Sequence, residues 1–235
     1  MTMIADNLHQ VQARIDAGVA AAGRVLGSVQ LLAVSKTFGP DAVRDAFAAG
    51  QHAFGENYIQ EAVDKITALA DLRSQLQWHC IGPIQSNKTR PVAEHFDWVH
   101  TVDRLKIAQR LSDQRPADMA PLQVCIQVNV DGGPTKSGVA PEEALALARA
   151  VAALPRLQLR GLMCIPEPAP NFEAACAVFA RARALFDSLN AQGLALDTLS
   201  MGMSADLEAA IHSGSTLVRV GSAIFGARDY GTTAH

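Results

Sequence analysis

The sequence predicts an α/β fold: one (β/α)8 barrel over residues 1–235, with an extra helix in front of it. Three observations carry that expectation. Short apolar runs alternate with segments of helical period about eight times. Eight such units in 235 residues suit a closed barrel. The first strand ends in Ser35-Lys36-Thr37, without the GxGxxG turn that an open doubly wound sheet usually carries there. The open sheet remains the alternative architecture.

Ile4, Leu8, Val11, Ile15 and Val19 recur at helical spacing ahead of Gly23, which predicts an amphipathic helix over 4–25. Strand one is 29–35, the apolar run around LLAV. Pro40 opens a helix that Gly50 closes. Strand two is 52–54, followed by a helix over 56–72. Strand three is 77–81, ending at Gly82, with a helix over 88–96. Strand four, 98–101, leads into a helix over 103–112. Strand five, 122–130, is strongly β-like around VCIQVNV. Pro141 starts a helix to residue 154. Strand six is 159–165, and a PEPAP loop separates it from a helix over 172–192. Strand seven is 198–201 with a helix over 205–212. Strand eight, 217–220, precedes a short helix over 222–227.

Lys+Arg 20 against Asp+Glu 23 leaves a formal charge of -3, which offers no footprint for nucleic acid or a membrane surface. No apolar run is long enough to span a bilayer, and the N-terminus lacks a signal-peptide pattern, so the expected compartment is the cytosol. Cys80, Cys125, Cys164 and Cys176 form no CxxC pair and show no zinc spacing to histidine, so no metal site is expected.

A barrel does its chemistry at the C-terminal ends of its strands. There the sequence gathers Lys36, then Glu56, Asn57 and Tyr58, then Gln85 to Lys88, then Asn129 and Lys136, then Ser200 to Ser204, and last Arg219, Gly221 and Ser222. Lys36 after an apolar strand is either a side chain reaching back to water or an amine placed for a phosphate or a carbonyl. Ser200 and Ser204 around Gly202, and Ser222 after Gly221, each precede a helix. They read as helix caps or, taken together on strands seven and eight, as a phosphate site. Arg219 alternates with Val218 and Val220. If the valines face the helices, Arg219 points into the barrel mouth, toward a ligand acceptor or an ion pair with Glu56 or Asp131. Pyridoxal 5'-phosphate has an aldehyde for Lys36, a phosphate for the two turns and a ring nitrogen for Arg219. An arginine there leaves the ring nitrogen unprotonated and the ring a weaker electron sink.

The segments AVSKT (33–37), FGENYIQEA (54–62), WHCIGPIQSNK (78–88), HTVDRLKIA (100–108), KSG (136–138), GLM (161–163), LSMGMSADLEAAI (199–211) and VRVGSAIFG (218–226) resemble the pyridoxal phosphate homeostasis proteins. These are similar to the barrel domain of alanine racemases, the fold-type III pyridoxal phosphate fold. The resemblance covers nearly the whole chain. It implies a Schiff base at Lys36, phosphate contacts from Ser200, Gly221 and Ser222, a lining from Asn57 and Met201, and Arg219 opposite the pyridine nitrogen. Cys80 and Gly133 depart from the family's usual aromatic and acidic residues, at lining or loop positions.

Racemases of this fold use a second base, a tyrosine on an added β domain. This chain holds two tyrosines, Tyr58 and Tyr230. The expected function is therefore non-catalytic: binding, buffering and delivery of pyridoxal phosphate in its homeostasis, by a monomer that meets cofactor-dependent client enzymes. The alternative is a weak amino-acid racemase or lyase with Lys36 as base and Tyr58, His79 or water opposite. A third reading, a phosphate-ester lyase or isomerase, predicts a colourless protein. Lys136 is either a second acceptor for cofactor in transit or a solvated loop lysine.

Overall fold

The computed structural model describes residues 2–133 and 137–226. Its eight strands are β1 (Gln30–Val34), β2 (Ala53–Glu56), β3 (Gln77–Cys80), β4 (Trp98–Val102), β5 (Leu122–Gln127), β6 (Leu157–Met163), β7 (Thr198–Met203) and β8 (Leu217–Val220). They pair in chain order, all parallel, and β8 returns to β1 to close the barrel. The helices are α1 (Met3–Ala21), α2 (Pro40–Ala48), α3 (Ile59–Ala68), α4 (Thr89–His95), α5 (Leu105–Gln114), α6 (Ala144–Ala152), α7 (Phe172–Ala191), α8 (Leu207–His212) and α9 (Ser222–Phe225).

Two apolar layers follow from strand alternation. Leu31, Ala33, Phe54, Trp78, Val99, Val124, Val218 and Val220 face outward and pack on the helices. Leu32, Val34, Ile81 and Leu217 face inward on one side of the axis, and Trp98, Cys125 and Met163 on another. The valines flanking Arg219 do face the helices, so Arg219 points inward.

The extra helix α1 begins at Thr2, whose hydroxyl accepts from the Ala5 N–H at 3.3 Å. Its Leu8, Val11, Ile15 and Val19 are buried against the barrel's outer layer, chiefly beside α8 and α9. Arg14 on α1 donates to the Ser204 carbonyl at 3.1 Å and pairs with Glu208 at 2.8 Å. Asn7 donates to the Ile224 carbonyl at 2.9 Å. The added helix thus holds the turns after β7 and β8 from outside.

Several boundaries differ from the sequence reading, β6 among them at Leu157–Met163 rather than 159–165, and three bear on the site. Glu56 belongs to β2, because it pairs with Cys80 of β3. β5 stops at Gln127, after which Val128 pairs with Val139. β7 runs on to Met203, since Gly202 adopts φ 98 and lets the strand shift register against β8. Lys136 and Tyr230 lie outside the described residues.

Gly82 ties the fold to the site. A Cβ there would collide with the backbone carbonyl of Asn57. Gly82→Ala is expected to destabilise the chain by at least ~2 kcal/mol, the scale of overpacking at a closed backbone contact, with a lowered urea midpoint as the measure. An unchanged midpoint would contradict that close approach.

Candidate functional site

The strand ends converge on a cleft of about 460 Å³ at the C-terminal mouth of the barrel, a normal size for a small-molecule site. Lys36 follows β1 and faces into it, with Val34 below. Asn57 follows β2. Ser204 and Ala205 stand in the β7 turn, and Gly221 and Ser222 follow β8. Arg219 forms part of its floor, and Ile81, Ile165 and Met203 supply apolar walls. Larger clefts, of about 520 and 620 Å³, open at the opposite, N-terminal end of the strands. Neither is lined by a lysine, and that end of a barrel serves stability rather than chemistry.

Five of the seven residues singled out in the sequence meet in the cleft: Lys36, Asn57, Arg219, Gly221 and Ser222. Ser200 and Met201 do not line it. Ser200 lies within β7 and faces the barrel axis, where its hydroxyl accepts from Arg219 at 2.6 Å. Met201, one residue on, faces outward into the layer between barrel and helices. The serine on the β7 turn is Ser204, which the sequence offered beside Ser200, whereas the resemblance implied the contact at Ser200. Tyr58 is 54% exposed and His79 only 2%, and neither lines the cleft. Arg219 makes no ion pair with Glu56 or Asp131; its guanidinium donates to Ser200 and, at 3.0 Å, to the Cys164 carbonyl.

The turn that carries Lys36 is held from α3. Lys65 is buried and donates to the Ser35 carbonyl at 2.8 Å and to Glu56 Oε1 at 2.6 Å. The Ser35 hydroxyl donates to the same Glu56 oxygen at 2.5 Å. Thr37, next to Lys36, sits at φ 70, in the left-handed region, and its N–H donates to Glu61 at 2.6 Å. Burial raises the Glu56 pKa, and Lys65 and Ser35 oppose that rise. The 9-residue spacing of Glu56 and Lys65 gave no local sequence signal for this pair.

The barrel interior beneath the cleft is polar. His100 Nδ1 lies 2.9 Å from Ser200 Oγ, and His100 Nε2 lies 2.9 Å from His79 Nδ1. The His79 ring stacks on Trp98 at 5.2 Å. Burial pushes the His79 pKa down to about 3 and the His100 pKa well below 6.5, with His79 and Arg219 adding to the second shift. Burial likewise pushes the Cys80, Cys125 and Cys164 thiols up to about 12, which suits small core residues rather than nucleophiles.

The residues present suit a phosphorylated aldehyde. Asn57 Oδ1 is a buried acceptor with no partner among the described residues. Gly221 leaves a bare backbone where a Cβ would sit 3.2 Å from the Val34 carbonyl. Helical turns follow the C-terminal ends of both β7 and β8, offering N–H groups without helical partners.

A closed parallel barrel with a lysine after β1 and an inward arginine on β8 is a racemase-type barrel, and the family model described as the alanine racemase N-terminal domain matches residues 7–229. A Pseudomonas aeruginosa protein called pyridoxal phosphate homeostasis protein is 63% identical over 234 residues, covering 100% of both chains. The Escherichia coli K12 protein of the same name is 53% identical over 231 residues, covering 98% of this chain and 99% of that one. The chain belongs to the pyridoxal phosphate homeostasis protein family. Among solved structures, PipY of Synechococcus elongatus with PLP bound is 39% identical and superposes with a TM-score of 0.83, covering 95% of this chain and 100% of that one. Alanine racemase from Corynebacterium glutamicum shares the fold at 20% identity and a TM-score of 0.66; this chain spans 63% of its length.

Two outcomes follow. Lys65→Met strands a buried carboxylate and is expected to cost ~3–5 kcal/mol, while Glu56→Gln with Lys65→Met costs less than Lys65→Met alone; urea unfolding of both measures it, and a costlier double variant would contradict the pairing. The buried histidines remain neutral when folded but bind protons near pH 6.5 when unfolded. Stability is therefore full above about pH 6.5 and falls as pH drops toward 3, by up to ~1.4 kcal/mol per pH unit for each histidine. Urea midpoints from pH 7.5 to 4.5 check this, and a flat profile would contradict neutral burial.

Proposed function

We propose that this chain, acting as one unit over 1–235, binds pyridoxal 5'-phosphate through Lys36 and buffers and delivers it inside the cell, without catalysing a reaction of its own. The observation that carries this reading is the convergence of Lys36, Arg219 and the β7 and β8 turns on one cleft. The family name and the PLP-bound PipY structure support it. The cofactor supplies an aldehyde that condenses with a primary amine with release of water, and a phosphate that anchors it.

Lys36 offers the amine, presented by the strained Thr37 turn that Glu61 and Lys65 hold. The N–H groups beginning the turns at Ser204 and Ser222, with Gly221 between strand and turn, suit a phosphate dianion. Arg219 cannot give up a proton to a ring nitrogen, so it favours an unprotonated pyridine and weak carbanion stabilisation. Asn57 supplies an unused acceptor at the rim. Among the described residues, no tyrosine or histidine lines the cleft opposite Lys36 to act as a second acid or base. Cofactor-dependent enzymes are the proposed recipients, the cytosol the proposed compartment and a monomer the proposed state. No helix among the described residues is long and apolar enough to cross a membrane.

Protein mixed with pyridoxal phosphate is expected to show a visible absorbance band, and borohydride should fix one cofactor to a peptide containing Lys36. Lys36→Ala should lose both. Amino-acid turnover on the order of 1 per second, an ordinary enzymatic rate, would overturn the non-catalytic reading. A colourless wild-type protein would overturn the cofactor assignment.

A further inference from the structure

Arg219 is 4% exposed, and its neighbours show how a guanidinium is kept in a barrel interior. Of its five N–H bonds, one goes to Ser200 Oγ at 2.6 Å and one to the Cys164 carbonyl at 3.0 Å. Ser200 Oγ lies 2.9 Å from His100 Nδ1, and His100 Nε2 lies 2.9 Å from His79 Nδ1. Ser200, His100 and His79 are 0%, 0% and 2% exposed. They come from β7, β4 and β3, so the chain crosses the barrel from wall to wall.

The direction of the hydrogen bonds follows from counting donors. Arginine only donates, so Ser200 Oγ accepts from it. If His100 Nδ1 also donated to Ser200, the serine proton would have no acceptor, and His79 Nε2 would be left as a bare lone pair. If instead Ser200 donates to His100 Nδ1, His100 carries its proton on Nε2 and gives it to His79 Nδ1. His79 then carries its proton on Nε2, the one atom of the set without a partner among the described residues. The second arrangement leaves one group unsatisfied and the first leaves two. Each donor in it also polarises the next in the same sense, which strengthens the bond at the arginine.

We propose that Ser200 and His100 are positioning residues for Arg219: a one-way hydrogen-bond chain from Arg219 through Ser200 and His100 to His79 fixes the guanidinium so that its remaining N–H groups address the cleft. This rests on the reading of the cleft as a pyridoxal phosphate site with Arg219 opposite the ring nitrogen. Ser200 thereby acts on the cofactor from below, through the arginine.

Four single variants of the full chain and one double variant test it, each titrated with pyridoxal phosphate and followed by visible absorbance. Ser200→Ala and His100→Leu should each weaken binding at least about tenfold, the scale of a lost hydrogen bond to a charged group, and shift the absorbance maximum. Their double variant should be little worse than either alone, since both break one chain. Ser200→Thr and His100→Asn keep a hydroxyl and an acceptor, and should restore the wild-type maximum and stay within about threefold in affinity. Ser200→Ala is nearly isosteric, so it keeps the test open should His100→Leu fail to fold. Wild-type spectrum and affinity in Ser200→Ala, with wild-type protein still trapped by borohydride at Lys36, would overturn the proposal and leave the cofactor assignment standing. Absence of any trapped adduct in wild-type protein would instead sink the cofactor assignment. Nitrogen-15 NMR of the protein without cofactor tests the chain independently: both histidines should be protonated on Nε2 at pH 7, and a proton on His100 Nδ1 would overturn it.

Discussion

A guanidinium inside a barrel needs acceptors, and the interior of this one is built to supply them. Arg219 stands where alternation on β8 turns it inward, among apolar layers that would not tolerate an unsatisfied cation. Ser200 and the Cys164 carbonyl take two of its N–H bonds, and His100 and His79 back the serine. Burial lowers the Arg219 pKa from its usual value, yet an arginine stays charged over any working pH. The cation is therefore permanent; its hydrogen-bond partners are a hydroxyl and a carbonyl, and the Asp206 carboxylate acts on it only through space.

The cleft's other edges are braced from the outer layer. Glu61 and Lys65 on α3 hold the turn beside Lys36, where Thr37 takes a conformation unfavourable for its residue type. Arg14 and Asn7 on α1 reach the turns after β7 and β8. The helix that precedes the eightfold repeat thus supports the β7–β8 side of the cleft, and α3 supports the lysine side. A site whose pieces come from six strands keeps its geometry because the turns that line it are anchored to helices and Arg219 to the barrel axis.

Much of the fold was legible because strand and helix periods differ and alternate cleanly here. The β7 end was not. LSMGMS reads as a strand that stops at a glycine, and only pairing with β8 shows that it continues through Gly202 with a register shift. Alternation turns Ser200 to the axis and Met201 to the helices, and the continuation through Gly202 carries the turn on to Ser204 at the cleft. The Glu56–Lys65 pair was likewise hidden. Glu56 reads as a helix start, and its partner lies a strand-to-helix crossover away. His79 and His100 look like isolated strand histidines, and their 2.9 Å contact depends on β3 and β4 lying side by side.

By itself the sequence favoured the barrel, identified the strand that carries Lys36 and tied the direction of Arg219 to that of its flanking valines. These depend on local periodicity and on which neighbours are apolar. Only the tertiary structure decided which serine meets the cleft, what satisfies the arginine and what holds the lysine's turn. Those depend on strand register and on contacts between residues as far apart as His100 and Ser200. Local propensity carries no information about such pairings, because each partner's own segment would look the same without the other.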